Sequence, residues 1–389
     1  DSSTSRGLGD VYKRQVSLCP AEVDIPGYIA LVGEGRYADA IRLIRKDNPF
    51  PTSCGFICEH PCEARCRRNM VDDKINIRGL KRVASDFAGK VPAPSCAKST
   101  GKRIAIIGGG PCGLSSAYYL QLMGHQTTVY EMLPQLGGML RYGIPNYRLP
   151  KEELDHDIQA ILDTGVEVRC NERIGDQISI QQLRKEYDAV LISIGASTDK
   201  KLGIEGEEAD GVISAVHFLR DVGLGNRPDL SGQEVAVIGG GNVSMDAVRT
   251  AIRLGAKKVS IVYRRRIADM TALPEEIEGA IAEGVEVQVL KSPSHIETDQ
   301  NGHLKGMYVT PQMVSQIKDG RASIRPTGEA DLFIPCTTLI VAIGQDIESR
   351  HFEQAGFSVM RGRLMSEKNA GFENIPGAVS YTHLRAHET

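Results

Sequence analysis

Two glycine-rich turns constrain the fold of this chain more than any other feature of its sequence. Each turn lies between an apolar strand and a helix, the first within residues 102–113 and the second within residues 234–244. In both places a second apolar strand follows the helix and ends at a charged residue, Glu131 in the first unit and Arg264 in the second. Such a strand–turn–helix–strand unit brings backbone N–H groups up to a pyrophosphate at the helix N-terminus. We therefore expect an α/β fold with two Rossmann-like dinucleotide-binding domains.

The charges that end the two second strands are opposite, and they distinguish the two units. The carboxylate of Glu131 can accept hydrogen bonds from an unmodified adenosine ribose and would repel a 2′-phosphate. Arg264 and Arg265 would instead bind a 2′-phosphate through charge-assisted hydrogen bonds. These residues predict an FAD site in the first unit and an NADPH site in the second.

Closely spaced cysteines form another distinctive segment. Cys54, Cys58, Cys62 and Cys66 lie within thirteen residues, with Cys19 upstream. Iron–sulfur clusters take thiolates from short, bent segments, because several ligands must surround one small inorganic core. Structural zinc also accepts four cysteines, but usually in pairs that a longer loop separates. We expect an Fe–S cluster, and keep a zinc site and incidental buried cysteines as alternatives. The sequence has no C-x-x-C pair, which argues against a disulfide reductase of the thioredoxin-reductase type.

The composition argues against several other classes of protein. The formal net charge is −3, and no basic block beyond residues 264–266 indicates nucleic-acid binding. No apolar run approaches the roughly 20 residues that a membrane-spanning helix needs. Nine cysteines, an odd number, fit a reducing compartment better than a disulfide framework. We expect a cytoplasmic protein without a nucleic-acid or membrane partner.

Both ends of the chain are expected to be non-native. A DNA string that encodes residues 10–15 has a reverse complement that encodes residues 379–383 in another frame, which unrelated ends should not show. The two stretches resemble a translated sequencing-library adapter, and we assign residues 1–15 and 379–389 to it. The native part would then be a fragment cut at both ends.

The rest of the chain divides by hydrophobic period. Apolar spacing predicts short helices before residue 90, and an apolar strand at 337–344 repeats the one at 188–195. This duplication suggests that the second domain is inserted into the first. The expected domains are a truncated helical Fe–S domain at 16–95, the first part of an FAD-binding domain at 102–200, an NADPH-binding domain at 201–335 and a truncated FAD-binding return segment at 336–378.

Short motifs around these features resemble one family of flavoproteins. They are Cys19-Pro20, Asp24–Pro26, Asn48–Pro51, the evenly spaced cysteines, Gly137–Pro145, Arg148–Pro150 and Pro274–Glu276. Together they resemble the glutamate synthase small (β) subunit family, which includes the flavin part of dihydropyrimidine dehydrogenase and the large subunit of NADPH–ferredoxin oxidoreductases. The resemblance covers residues 17–378. It implies a small α-helical Fe–S domain ahead of two glutathione-reductase-like dinucleotide-binding domains.

By this resemblance, the site residues group by cofactor. FAD would contact Gly108, Gly110, Gly113, Glu131, Met139 and Arg148. NADPH would contact Gly239, Gly241, Asn242, Val243, Ser244, Arg264 and Arg265, together with the turn at 342–345. Cys19, Cys58 and Cys62 would be ligands of one [4Fe–4S] cluster, and Cys66 of a second. No catalytic acid or base is implied.

The chain also departs from the family pattern. The family's fourth ligand of the first cluster is Gln or Glu, where this chain has Lys81, and a lysine is a poor ligand. Cys54 matches a position that is not usually a ligand. The remaining cysteines of the second cluster would lie upstream of Cys19, where the adapter-like segment stands, so that cluster should not assemble. A flavin-binding segment expected after Gly377 is absent as well, which bears on FAD affinity.

The implied function is electron transfer from NADPH through FAD and [4Fe–4S] clusters to a partner subunit. The first expectation is the NADPH-dependent glutamate synthase small chain, with the large subunit as the acceptor. An NADPH–ferredoxin or bifurcating oxidoreductase subunit with a ferredoxin-type acceptor, and a stand-alone diaphorase, are alternatives. An alternative from another class is a truncated nucleotide-binding fragment without turnover.

Overall fold

The computed structural model describes residues 16–360, 362–366, 371–372, 375 and 377–380. The chain forms two compact units. The first comprises Asp1–Arg141, Asn146–Gly195 and Ser349–Thr389 as far as they are described, and the second comprises Tyr142–Pro145 and Ala196–Glu348. In chain order the second unit interrupts the first. The predicted adapter-like residues 1–15 and 381–389 lie outside the described residues.

Short helices make up the N-terminal part of the first unit. They are α1 (Ile25–Gly33), α2 (Tyr37–Ile44), α3 (Pro51–Ile57), α4 (Pro61–Ala64) and α5 (Ile77–Phe87), with a 3₁₀ turn at Arg67–Met70. Side-chain caps begin two of them, because Asp24 and Asn76 each accept a hydrogen bond from the N–H three residues further on. Tyr28 is fully buried among these helices, and its hydroxyl donates to the carbonyl of Ile77. A helical part ahead of the α/β sheets agrees with the expected fold class.

A five-stranded parallel sheet is the core of the rest of this unit, in the order β18–β4–β1–β2–β3. The strands are β1 (Arg103–Ile107), β2 (Gln126–Glu131), β3 (Glu167–Cys170), β4 (Ala189–Ile192) and β18 (Ala378–Ser380). The central strands β1 and β4 are near-continuous apolar runs, as is typical of a parallel sheet with both faces covered. β18 extends two residues into the segment 379–389 that we predicted to be non-native.

Helices and a short hairpin accompany this sheet. They are α6 (Pro111–Leu122), α7 (Met139–Tyr142), α8 (Lys151–Leu162), α9 (Ile180–Glu186), α13 (Arg350–Gln354) and the pair β16 (Val359–Met360) and β17 (Arg363–Leu364). Aromatic side chains of the last segment, Phe352, Phe357 and Phe372, pack into the same core as Ile107 and Ile192. The described residues after 349 therefore belong to the core of the first unit.

The second unit has its own five-stranded parallel sheet, in the order β6–β14–β7–β8–β9. The strands are β6 (Val212–Ser214), β7 (Glu234–Ile238), β8 (Lys258–Tyr263), β9 (Glu286–Val289) and β14 (Thr338–Val341). The helices are α10 (Ala215–Gly223), α11 (Asn242–Arg253) and α12 (Pro274–Ala282), with a 3₁₀ turn at Ile267–Asp269. A short pair, β5 (Thr198–Asp199) and β15 (Gln345–Asp346), completes the set.

One predicted domain boundary is wrong. We placed residues 336–378 in the return segment of the first domain, but β14 lies between β6 and β7 and pairs with both. Residues up to Glu348 belong to the second unit. A short apolar strand has no local property that says which sheet it joins, because its pairing partners are distant in sequence.

An antiparallel sheet in the second unit contains one long bent strand. The sheet comprises β10 (Lys291–Thr298), β11 (Leu304–Lys318), β12 (Arg321–Pro326) and β13 (Leu332–Pro335). β11 pairs with β10 and β13 along its first part and with β12 along its last part. The β11–β12 hairpin turns at Asp319 and Gly320, so that Arg321 follows the turn directly. None of the helices that the structure describes is both long and apolar enough to cross a bilayer.

Candidate functional site

The glycine turn of the first unit needs its glycines for steric reasons. Gly108 has a φ of +109°, which L side chains rarely adopt, and a Cβ there would collide with the carbonyl oxygen of Ser193. A Cβ at Gly113, in the first turn of α6, would collide with the carbonyl oxygen of Gly108. Gly110 is the N-cap of α6, and Pro111 is the first residue of the helix. The turn thus leaves backbone N–H groups at a helix N-terminus for an anionic group.

A second glycine pair packs against this turn. The N–H of Gly137 donates to the carbonyl of Gly109 at 2.8 Å. A Cβ at Gly138 would lie 2.7 Å from the Cα of Gly110, closer than real Cβ atoms come to backbone. Met139 follows and begins α7, and both it and Arg148 are half-buried. The structure therefore brings the 137–138 turn to the glycine turn, and the FAD contacts of Met139 and Arg148 stay predictions.

Glu131 lies at the end of β2 and is bound to the same turn. It is only 5% exposed, its Oε2 accepts from the N–H of Gly109 at 2.7 Å, and its Oε1 accepts from the N–H of Leu133 at 2.8 Å. Burial raises the pKa of Glu131, while these N–H donors work in the opposite direction. Each carboxylate oxygen retains acceptor capacity, so the residue can order the turn and still accept from a ribose hydroxyl.

In the second unit, the corresponding turn opens into a cavity of about 560 Å³. The lining includes the predicted Gly239, Gly241, Asn242, Val243, Arg264 and Arg265, and the turn at 342–345. It also includes Thr271, Ser292 and Arg321, which the sequence did not single out. The Oδ1 of Asn242 accepts from the N–H of Leu273 at 3.0 Å, which joins the start of α11 to the segment before α12. The cavity has the size of a small-ligand site.

Ser244, by contrast, does not line this cavity. It is fully buried within α11, and a Cβ at Gly239 would collide with its Oγ and with the carbonyl oxygen of Ala342. Gly239 has a φ of +146°. Among the described residues, the Ser244 hydroxyl has no hydrogen-bond partner. The geometry favours Ser244 as support beneath the turn, and its predicted contact with NADPH stays a prediction.

The three successive arginines after β8 have different surroundings. Arg264 is exposed at the cavity. Arg265 is half-buried, and its Nε donates to the carbonyl of Ala322 at 2.9 Å. Arg266 makes a bidentate ion pair with Asp269, at 2.8 and 2.9 Å, and its guanidinium holds the pKa of Asp269 well below the usual range. Arg264 therefore has the freest guanidinium of the three for an anionic ligand.

Three of the predicted cluster ligands lie close together in the helical part. Burial is the largest cause of the raised pKa of Tyr28, and the nearby Cys62, Cys19 and Cys58 add to it. Burial also raises the pKa of Cys62 to about 11, with the neighbouring Cys58 adding to the effect. Cys66 is buried too, ahead of the 3₁₀ turn.

Lys81 lies beside these thiols. It is buried on α5, and its positive charge lowers the pKa of Cys62 and of Cys54 against the effect of burial. A lysine therefore stands at the position where the resemblance expects Gln or Glu as a ligand. Within the described part of the chain, no three Cys, His, Asp or Glu side chains converge as metal ligands. The ligand set of the cluster remains a prediction.

Two protein families match the chain. The pyridine nucleotide-disulphide oxidoreductase family matches residues 102–371. The 4Fe–4S domain II of dihydropyrimidine dehydrogenase matches residues 4–92. The two matches correspond to the α/β units and to the helical part, and they agree with the FAD, NADPH and [4Fe–4S] cofactors predicted from the sequence.

Several curated proteins are similar over most of the chain. The β subunit of the NADP⁺-dependent formate dehydrogenase of Moorella thermoacetica is 40% identical over 88% of this chain and 53% of its own length. The β subunit of the NADPH–Fe(3+) oxidoreductase of Geobacter sulfurreducens is 40% identical over 84% of this chain and 50% of its own length. The small chain of the NADPH glutamate synthase of Escherichia coli is 34% identical over 84% of this chain and 72% of its own length. The chain thus spans about half the length of the first two.

The solved structure of FprA from Mycobacterium tuberculosis, in complex with NADPH, has the same fold. The TM-score is 0.61 at 20% identity, over 72% of this chain and 78% of FprA. At this level of identity the likeness concerns the fold alone. The match at residues 102–371 covers more than half of the chain, and the chain belongs to the pyridine nucleotide-disulphide oxidoreductase family.

Proposed function

We propose that this chain oxidises NADPH and passes its electrons through FAD to an Fe–S cluster and then to a partner protein. The cavity of the second unit carries the proposal, because its glycine turn and Arg264 line one space. Backbone N–H groups at a helix N-terminus suit a pyrophosphate, and a guanidinium after the second strand suits a 2′-phosphate. This combination supports NADPH rather than NADH as the electron donor.

The first unit supports the binding of FAD. Its glycine turn presents backbone to a pyrophosphate, and Glu131 offers a carboxylate to a ribose while it holds the N–H of Gly109. A carboxylate at that position disfavours a 2′-phosphate. The first unit is therefore suited to FAD and the second to NADPH. FAD supplies the link between hydride transfer and one-electron transfer when it is bound. The side chains bind and orient, and no acid or base is required of them.

The helical part supports a [4Fe–4S] cluster held by Cys19, Cys58 and Cys62. All three cysteines contribute to the raised pKa of Tyr28, which supports a common neighbourhood for them around that residue. Cys66 stays a predicted ligand of a second cluster, for which residues 1–18 of this sequence supply no cysteine. A thiolate set of this kind carries single electrons, and hydrogen bonds to the sulfurs, such as that from the His60 N–H to Cys58, tune its potential.

The electron acceptor is proposed to be a partner subunit. The similar proteins are β subunits or a small chain of formate dehydrogenase, Fe(3+) oxidoreductase and glutamate synthase. Those at 40% identity are not glutamate synthase chains. We therefore favour, as the role of this chain, an electron-input subunit of a multi-subunit oxidoreductase over the specific role of a glutamate synthase small chain. The glutamate synthase large subunit and a ferredoxin-type protein remain specific candidates for the acceptor.

An anaerobic visible spectrum, recorded before and after addition of NADPH, tests the proposal. A flavin band that bleaches with NADPH supports it. A purified chain that binds added FAD and NADPH but never transfers electrons would instead support the nucleotide-binding fragment without turnover. NADPH oxidation with artificial acceptors, with no complex formed with any candidate acceptor subunit, would support a stand-alone diaphorase.

A further inference from the structure

We propose that Arg321, on the β11–β12 hairpin, contacts the 2′-phosphate of NADPH together with Arg264. The hairpin then takes part in the choice of NADPH over NADH. This inference rests on the proposed NADPH site in the second unit and adds a residue that the glycine-turn motif does not contain. Arg321 is far from Arg264 in sequence, but both line the same cavity.

Two hydrogen bonds to the backbone of Ala322 hold the hairpin beside the basic segment. Asp269 Oδ1 accepts from the N–H of Ala322 at 2.9 Å, and Arg265 Nε donates to the carbonyl of the same residue at 2.9 Å. Ala322 is 2% exposed, so these bonds are shielded from water. Asp269 is itself held within the basic segment, because its carboxylate accepts from the N–H of Arg266 at 3.1 Å. Because Arg321 directly precedes Ala322, its backbone is held next to the segment that carries Arg264.

The charges at the cavity favour an anion between the two arginines. Arg264 and Arg321 are both exposed and both line the cavity. Among the residues that the structure describes, neither guanidinium has a hydrogen-bond or ion-pair partner. Arg265 also lines the cavity, but its Nε donates to the carbonyl of Ala322, and Arg266 is paired with Asp269. Two unpaired guanidinium groups on one cavity repel each other until an anion joins them, and a phosphate dianion accepts from both.

This arrangement assigns different tasks to the adjacent arginines Arg264 and Arg265. From sequence alone, both were expected to bind the 2′-phosphate. The structure turns the Nε of Arg265 to the hairpin, which makes Arg265 a positioning residue for Arg321. The second arm of the phosphate clamp is then supplied from β12 instead of from the loop after β8.

Calorimetric titration of the full chain with 2′,5′-ADP and with 5′-AMP tests the proposal, because these probes differ only in the 2′-phosphate. Arg321→Gln should weaken 2′,5′-ADP binding by about tenfold or more and leave 5′-AMP binding unchanged, since a charge-assisted bond to phosphate is lost. Arg321→Lys should lose less, because it keeps the charge without the planar fork. The matched control is Arg325→Gln, an exposed arginine of the same strand that does not line the cavity.

The outcomes separate this inference from the proposed function. If the native chain prefers 2′,5′-ADP and Arg321→Gln keeps that preference, the inference is wrong and the NADPH site stands. Equal losses for Arg321→Gln and Arg325→Gln would also overturn it, because they would indicate a general effect of charge. A native chain that binds 2′,5′-ADP no better than 5′-AMP would overturn the NADPH assignment, and the clamp with it.

Discussion

The carboxylate of Asp157 on α8 caps helix α3 through Ser53. Its Oδ2 accepts from the backbone N–H of Ser53 at 2.7 Å and from the Ser53 hydroxyl at 2.9 Å, while Oδ1 accepts from the N–H of Thr52 at 3.3 Å. Asp157 is fully buried. Helix α3 has no side-chain cap of its own, so a residue of the α/β part satisfies the N-terminus of the helix that carries Cys54 and ends before Cys58.

Asp157→Ala should therefore destabilise the first unit. The change leaves two helix N–H groups and one hydroxyl buried without an acceptor, at a cost of about 3 kcal/mol. Urea unfolding monitored by circular dichroism measures it. Glu152→Ala, at an exposed position of the same helix, is the matched control and should cost well under half as much. Similar losses in the two variants would contradict the capping role.

Stability should also depend on pH through the same carboxyl group. Burial raises the pKa of Asp157 from 3.8 to about 6, against the opposing effect of the Ser53 N–H. Because the folded pKa lies above the unfolded one, the native state binds more protons in this window. The contribution of the group is greatest below the unfolded pKa and falls as the pH rises towards the folded pKa.

The comparison that isolates this effect is the native chain against Asp157→Asn, which does not titrate. The stability of the native chain relative to this variant should fall by about 2 kcal/mol between about pH 4 and pH 7. Glu152→Gln should not alter the pH profile. A constant difference between the native chain and Asp157→Asn across this range would show that the pKa of Asp157 is not raised.

Gly138→Ala should reduce the retention of flavin. Its φ of +50° disfavours a side chain, and the added Cβ would lie 2.7 Å from the Cα of Gly110, so the glycine turn must shift. Gly35→Ala is the control, because Gly35 has a φ of +73° and open space around its Cβ position. That control should cost about 1 kcal/mol of stability and leave the flavin-to-protein ratio unchanged. If Gly138→Ala also left the flavin-to-protein ratio unchanged, the 137–138 turn would not be part of the flavin site.

Arg264→Gln should raise the KM for NADPH by about tenfold and change the KM for NADH little, because one charge-assisted bond to the 2′-phosphate is lost. Steady-state assays with an artificial acceptor measure both values. The control is Lys257→Gln. Lys257 is exposed and precedes β8, whereas Arg264 follows that strand, so this change should affect neither KM. Parallel increases for NADPH and NADH would overturn the assignment of Arg264 to the 2′-phosphate.

Lys81→Gln should increase the iron content of the chain after anaerobic reconstitution. The ammonium of Lys81 is buried beside Cys62 and Cys54, where a neutral amide can approach an Fe–S core without repelling the iron. The control is Arg82→Gln, which removes a charge at the neighbouring and more exposed position of the same helix. Equal iron content in the native chain and in Lys81→Gln would show that this position does not limit the cluster.

The sequence by itself determined the local units of this protein. Both glycine turns could be predicted because steric demands on residues such as Gly108 and Gly239 act within a few residues of the chain. The helices at the N-terminus and the opposite charges of Glu131 and Arg264 could likewise be identified from the sequence, since spacing and charge are local properties.

Only the tertiary structure decided which distant segments meet. It assigned β14 to the second sheet, brought Arg321 to the cavity of Arg264, and placed Asp157 at the N-terminus of α3. It also bonded the Nε of Arg265 to the carbonyl of Ala322 and buried Ser244 beneath its turn. The reason is physical: strand pairing and buried hydrogen bonds are selected by the packing of the whole unit, and no local pattern records partners that lie far away in sequence.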